Sequence, residues 1–386
     1  MSGWFLLAAI PVFGLLVFVH EFGHFITAKW SGIRVEEFGF GFPPRLIGIK
    51  RGETIYSINW IPLGGFVRMP GENGETSDDA GNYDPHSFAS KPAWRRAIVL
   101  VAGVTMNAIL AFLLFGAAYA AGETGYSPII QYVCANSPAA TAGIQAGDKI
   151  LAVDGQSTVL ETDVSQVVQN KVMTAASGAK SVPVQITFQH AQNTPQTVTL
   201  GARTGDLSTT ACKDAEGVLF KDPQGKPING QGPLGIVWNT DVVVTHHYSI
   251  NEIPGQAVKQ AGLMLSGFGD LIRSIFDGAF NVHQVAGPVG IVNFTGEAAS
   301  LVPQLGWFPI LNLTAFLSLN LAIINILPFP ALDGGRLALL GLEVVRRGKR
   351  LDPRHEGVIH LIGMAVLLLL VVIITWNDIG TLISQH

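Results

Sequence analysis

Charge is scarce in this chain. Asp, Glu, Lys and Arg make up 13% of its 386 residues, and none falls within residues 3–19. Soluble domains usually carry about a quarter, so an ordinary soluble globular protein is a poor fit. A basic excess is also missing, and a formal net charge of −4 excludes a strongly basic nucleic-acid binder. Cysteine is limited to Cys134 and Cys212; their spacing leaves open a disulfide or two buried thiols. The first apolar run has no basic segment ahead of it and no small-x-small site behind it, which argues against a cleaved signal peptide.

What the chain has instead is apolar residues gathered into four runs, residues 3–19, 97–122, 308–327 and 359–376. Each approaches the roughly 20 residues that cross a bilayer as a helix. A fifth stretch, residues 253–280, is broken by Lys259, Asp270, Arg273 and Asp277. Its Leu263, Leu265, Phe268, Leu271, Ile272 and Phe276 fit an amphipathic helix lying on the membrane surface. Basic residues follow the first run, precede the second, and fill the connection between the third and fourth, where Arg336, Arg346, Arg347, Lys349, Arg350 and Arg354 stand. The positive-inside rule therefore places these connections in the cytoplasm. Both termini and residues 123–307 then lie outside, where a disulfide is permitted.

Residues 129–133 and 149–153 read as strands, Asp154-Gly155 as a tight turn, Ser137-Pro138 as a short helix start, and residues 164–172 as a second helix. Residues 182–188 and 196–200 read as closing strands. The stretch SPAATAGIQAGDKILAVDG resembles a PDZ domain, over about residues 126–203. That resemblance implies a module that takes an extended peptide as an added strand; the alternative is a domain that only filters by size. Residues 204–233 read as a loop or hairpin extension, and residues 286–292 as a loop returning to the membrane.

Ionisable residues inside a membrane run are costly and mark function. At the end of the first run stand His20, Glu21 and His24. Histidines four apart share one helix face and can bind one metal ion, while Glu21 projects about 100° away and can reach a metal-bound water. Zinc lowers the pKa of such a water toward neutrality, and an adjacent carboxylate can take its proton and return it to the leaving amine. A catalytic zinc takes three protein ligands and keeps one position open. The strongest third candidate is Asp333, in NILPFPALDGG, the only acid between Glu297 and Glu343. Pro328 and Pro330 end the third helix, and Gly334 and Gly335 allow a tight turn around Asp333. The topology brings His20, His24 and Asp333 to the same cytoplasmic depth.

These residues resemble the bacterial site-2 protease family, intramembrane zinc metalloproteases of the regulator of sigma-E protease type. His20-Glu21-Phe22-Gly23-His24, the NILPFPALDGG segment and GVTMN, ending at Asn107, fit its motifs across essentially the whole chain. The resemblance implies a Zn2+ site of His20, His24 and Asp333, with Glu21 as general base and acid. It implies that Asn325 binds the substrate backbone or the developing oxyanion, and that Asn107 serves substrate binding or a helix contact. The strand-like cytoplasmic region would pair with unwound substrate, with Gly64, Gly65 and Phe66 as the pairing edge.

The expected fold class is a multi-pass α-helical membrane protein of about four transmembrane helices, with a cytoplasmic membrane-associated β region and an inserted extracytoplasmic PDZ-like α+β domain. The expected segments are residues 1–26, 95–122, 308–335 and 357–378 for the helices, 27–94 for the β region and 123–203 for the PDZ-like domain. Residues 204–307 would be an extracytoplasmic extension and 336–356 a cytoplasmic loop. The expected function is cleavage of transmembrane segments of single-pass proteins in the bacterial inner membrane, with the lipid bilayer and such substrates as partners and no nucleic acid. Substrates would include anti-sigma factors or remnant signal peptides. The alternative is a non-enzymatic membrane adaptor with a structural metal and a peptide-binding domain; the oligomeric state stays open.

Overall fold

A computed structural model describes residues 3–72, 84–175, 179–191, 193–204, 211–221, 228, 232–277, 286–348 and 353–385. The chain forms two units, Met1–Ala121 with Tyr248–His386, and Gly122–His247.

In the first unit each apolar run lies in a helix, the form that satisfies every backbone group without water. They are α1 (Ala9–Trp30), entered through a 3-10 turn at Gly3–Ala8, α2 (Ala93–Ala121), α7 (Phe308–Ile326) and α9 (Pro353–Gln385). Among the described residues, four helical stretches are long and apolar enough to cross a membrane: Phe5–Trp30, Ala93–Ala121, Phe308–Ile326 and His355–Gly380. The chain is therefore a membrane protein with a separate β region. Small residues let α1 and α2 approach closely. A Cβ at Gly23 would stand 2.6 Å from the Ala102 carbonyl oxygen and 2.8 Å from Met106 Cγ. Ala111 and Phe115 of α2 pack with Ala315 and Leu319 of α7 and with Ala257 of α5 (Ile253–Phe276), the expected amphipathic helix.

Two connecting segments differ from their sequence reading. Residues 286–292, expected as a loop, mostly belong to α6 (Pro288–Leu305). Proline suits a first helical turn because its missing N–H would be unpaired there anyway. The remaining donors find a distant partner: Asp378 of α9 accepts the backbone N–H groups of Gly287 at 3.1 Å and Gly290 at 2.8 Å. Local pattern carries no trace of such a cap. Replacing it, Asp378→Ala, is expected to cost about 1–2 kcal/mol, read as a lower melting temperature of the solubilised protein; an unchanged melting temperature would show the cap to be idle. The second difference is the connection 336–356, expected as a loop. Residues 336–345 are helical in α8 (Asp333–Val345) and residues 353–356 already belong to α9, and Glu343 accepts two hydrogen bonds from Arg96 at 2.9 and 2.6 Å. Lys349 and Arg350, counted above as cytoplasmic charges, lie outside the described residues.

The β region between α1 and α2 consists of β1 (Glu37–Arg51) and β2 (Thr54–Arg68). Each strand is long enough to be used twice. Lys50 and Ile49 face Ile55 and Tyr56 across a hairpin turned at Gly52, while Phe38 has Tyr56 on one side and Val67 on the other. The segment from Gly65 to Arg68 thus forms a border, and among the described residues no strand pairs with its outer side.

The second unit holds β3 (Glu123–Tyr126), β4 (Ile130–Val133), α3 (Pro138–Thr141), β5 (Lys149–Val153), β6 (Gln156–Ser157), α4 (Glu161–Met173), β7 (Ser181–Gln189), β8 (Gln196–Arg203), β9 (Ile236–Trp238) and β10 (Val243–His246). Its main sheet has the order β6-β5-β7-β8, over a core that includes Ile150, Val153, Val164, Val184 and Ile186. The expected boundary at residue 203 falls inside this unit, because β9 returns to pair with β4 and β10 with β3. Ser137 caps α3 as its spacing suggests, accepting the N–H of Ala140 at 3.1 Å. Cys134 and Cys212 are joined in a disulfide, which resolves the alternative left open above and ties part of the 204–233 extension to the end of β4. A groove runs between α4 and β9, where Val164, Val168, Leu234, Ile236 and Trp238 line it together with the polar Ser165 and Gln169.

Candidate metal centre and active site

Three ionisable side chains converge in the first unit. His20 and His24, both buried, stand one turn apart on α1, and Asp333 opens α8. Asp333 Oδ2 lies 3.0 Å from His20 Nε2 and 3.3 Å from His24 Nε2, and the two Nε2 atoms are 3.3 Å apart. Nothing in the sequence distance of these residues requires the match; the end of α7 and the loop after it deliver the acid.

That loop is built for close approach. Leu327 turns extended before Pro328, as residues preceding proline do, and Ala331 takes a left-handed φ of 81°. Gly334 and Gly335 have ordinary backbone angles, so the expected tight turn is not their reason. A Cβ on Gly334 would collide with the carbonyl oxygens of Ile326 and Leu327, and one on Gly335 with that of Phe329. They are glycines so that α8 can start directly against the end of α7.

Two further residues, neither singled out from the sequence, hold this loop. His360 accepts the Ala331 N–H at 3.0 Å through Nδ1, and a side chain at Gly363 would run into Pro330. The signal in the sequence for His360 is an ionisable side chain inside the fourth apolar run. Arg336, one turn into α8, pairs with Glu72, just beyond β2, so the border strand and the helix that carries Asp333 are tied together.

The cluster fits a cation. His24 Nδ1 is 2.8 Å from the Val99 carbonyl oxygen, which can only accept, so the ring proton sits on Nδ1 and Nε2 presents a lone pair. Asp333 Oδ2 is buried with no hydrogen-bond partner. Lone pairs crowded in this way repel unless a positive ion sits among them. Ligands about 2.0–2.1 Å from one tetrahedral zinc lie roughly 3.3 Å from each other, the spacing seen here. Among the described residues this is the one group of three His, Cys, Asp or Glu with metal-binding spacing. It has three protein groups, as a catalytic site with an open position needs.

Glu21 stands beside the cluster without joining it. A Cβ at Gly65 would be 3.3 Å from Glu21 Cγ, so the Glu21 side chain runs close to the border strand. Gly64 has a φ of 94°, and any side chain on it would meet the Phe42 ring at 2.5 Å. Phe66 lies over Gly39 of β1. Asn325 sits partly buried in the last turn of α7. Asn107 is fully buried, with its amide 3.3 Å from His20 Nδ1.

Comparison with known proteins agrees with this geometry. The family described as Peptidase family M50 matches residues 8–370. The zinc metalloprotease RasP of Shouchella clausii is 31% identical over 457 residues, covering 98% of this chain and 99% of that protein. RasP of Geobacillus kaustophilus is 29% identical, covering 97% of each. A His-Glu-x-x-His helix and a distant aspartate meeting at zinc spacing, among helices able to cross a membrane, place this chain in peptidase family M50, the site-2 proteases, as an intramembrane zinc metalloprotease.

Proposed function

We propose that His20, His24 and Asp333 hold the zinc ion, that Glu21 is the general base and acid, and that the chain cleaves transmembrane segments of single-pass proteins near the cytoplasmic face of the bacterial inner membrane. The observation that carries this reading is the convergence of three ligand atoms, all within 4.8 Å of one another, at the end of apolar α1 where lysines and arginines begin. When bound, zinc supplies a Lewis acid and an activated water at neutral pH.

The chain's own groups do the rest. Glu21, on the substrate side of the motif, receives a proton on its carboxylate and passes it to the departing amine. The amide of Asn325 holds a substrate carbonyl or donates to the oxygen on which negative charge develops. Residues Gly64, Gly65 and Phe66 offer main-chain donors and acceptors at a sheet border. An unwound substrate segment would add there as a strand, exposing a scissile carbonyl that a helix hides. A border next to Glu21 suits that role, because pairing would fix the substrate beside the base.

Basic residues flanking the membrane helices put the β region in the cytoplasm and residues 123–247 outside. The Cys134–Cys212 disulfide supports this side for the second unit, since such bonds persist in oxidising compartments. That unit is PDZ-like in this reading. Its groove between α4 and β9 would take an extended peptide end, or the unit would exclude substrates with bulky outer domains.

The test is cleavage of a reporter, a single-pass protein with a cytoplasmic N-terminus, by the purified protein in lipid discs, with products identified by mass. Cleavage within or at the edge of the membrane segment is expected, together with about one zinc per chain; Asp333→Ala should lose both. Retention of tightly bound zinc by Asp333→Ala would remove Asp333 from the ligand set.

A further inference from the structure

The proposed zinc site leaves one question about its outer partners. A histidine binds zinc through one ring nitrogen only when its proton rests on the other, and an acceptor beside that other nitrogen fixes the arrangement. For His24 the acceptor is the Val99 carbonyl oxygen at 2.8 Å. For His20 the group beside Nδ1 is the side chain of Asn107, at 3.3 Å.

An amide can face the ring in two ways, and only one is compatible with metal binding. If Asn107 Nδ2 points at Nδ1, it donates, and the ring must carry its own proton on Nε2, the atom that faces His24 and Asp333. That state also leaves Asn107 Oδ1 buried without a hydrogen-bond partner. Rotating the amide by half a turn places Oδ1 against Nδ1, where it accepts the ring proton and frees the Nε2 lone pair. Oxygen and nitrogen of an amide are nearly the same size, so the pocket admits either.

The surroundings hold this residue in place. Asn107 is completely buried, as is Ser318 of α7, whose hydroxyl donates to the Asn107 backbone carbonyl at 2.8 Å. One turn earlier on the same face, Gly103 leaves room for the two imidazoles; a Cβ there would lie 2.7 Å from His20 Cε1. The α2 helix therefore backs both rings, with Val99 behind one and Asn107 behind the other. A residue so enclosed is poorly placed for substrate.

We propose that Asn107 is a positioning residue: its Oδ1 accepts the Nδ1–H of His20 and so selects the tautomer that binds zinc. This rests on His20 being a zinc ligand. It replaces the sequence-level expectation of substrate binding with a role through the metal.

The two roles separate in zinc affinity, measured on the full-length purified protein by chelator competition. Asn107→Leu, which cannot accept, is expected to weaken zinc binding roughly 10–100-fold, the usual effect of losing such a partner. Asn107→Asp has the same shape, accepts and cannot donate as a carboxylate; it should hold zinc with a less than tenfold loss. The proposal is overturned if Asn107→Leu binds zinc like the native chain and raises only KM. It is equally overturned if Asn107→Asp loses at least tenfold, because the amide then acts as a donor. Should the leucine variant fail to fold, the aspartate comparison alone decides. His20→Ala is the control for the underlying reading: if it keeps native zinc affinity, the ligand assignment itself fails, whatever the Asn107 variants do.

Discussion

Glu21→Gln is expected to keep the zinc ion and to slow cleavage by two to four orders of magnitude, the usual contribution of a general acid–base group. The metal should stay because Glu21 is outside the ligand cluster: the three atoms that approach one another belong to His20, His24 and Asp333. Glutamine has the same length and volume, so the packing of Glu21 Cγ near Gly65 survives the change. What is lost is a carboxylate able to hold a proton and release it, and the two halves of peptide-bond hydrolysis need both events at one place. The measurement pairs zinc content with single-turnover cleavage of a membrane reporter. Zinc retained with cleavage undiminished would remove Glu21 from the chemistry. Zinc lost along with activity would make it a ligand instead, contrary to the geometry. A retained but inert site would also make this variant a trap for bound substrates, whose identification would test the proposed class of single-pass proteins.

Much of this was legible because its causes are local or compositional. A bilayer imposes length and polarity on any segment that crosses it, so four apolar runs read as four helices. The spacing of His20 and His24 is set by the helix pitch, and an unusual polar group in an apolar setting announces itself. What stayed hidden depends on contacts across long separations. Asp378 capping α6 is 91 residues from Gly287, and no window of sequence links them. His360 sat in view inside an apolar run, yet lacked partner spacing, because its partner is a backbone N–H in a distant loop. The boundary of the second unit was placed at residue 203 because β8 closes a sheet there; β9 and β10 rejoin only after a stretch with no readable period. Gly334 and Gly335 were recognised as necessary for the wrong reason. Sequence shows that a glycine is present, while only the fold shows whether conformation or proximity requires it.

Gly103 shows the same distinction and carries the sharpest structural expectation. Replacing a helix glycine with alanine ordinarily stabilises a helix by about 0.5–1 kcal/mol. At Gly103 the added methyl would collide with His24 Nε2 and stand 2.7 Å from His20 Cε1 and 2.9 Å from His20 Nε2. Those are the very nitrogens that face Asp333. The rings cannot easily yield, since His24 is held from behind by Val99 and His20 meets Asn107. Either α2 moves away from α1, against the close contact at Gly23, or the imidazoles rotate out of the cluster. Gly103→Ala is therefore expected to lower zinc affinity at least about 100-fold, beyond the loss of an outer partner alone, and to destabilise the chain by about 1–3 kcal/mol through overpacking. Gly116 provides the contrast on the same helix, because a Cβ there meets only Ile253 Cγ2 at 3.9 Å. Gly116→Ala should leave zinc affinity unchanged and raise the melting temperature. If Gly103→Ala bound zinc as tightly as Gly116→Ala, the helix would have room to give, and the close backing of the metal site by α2 would not be what holds it together.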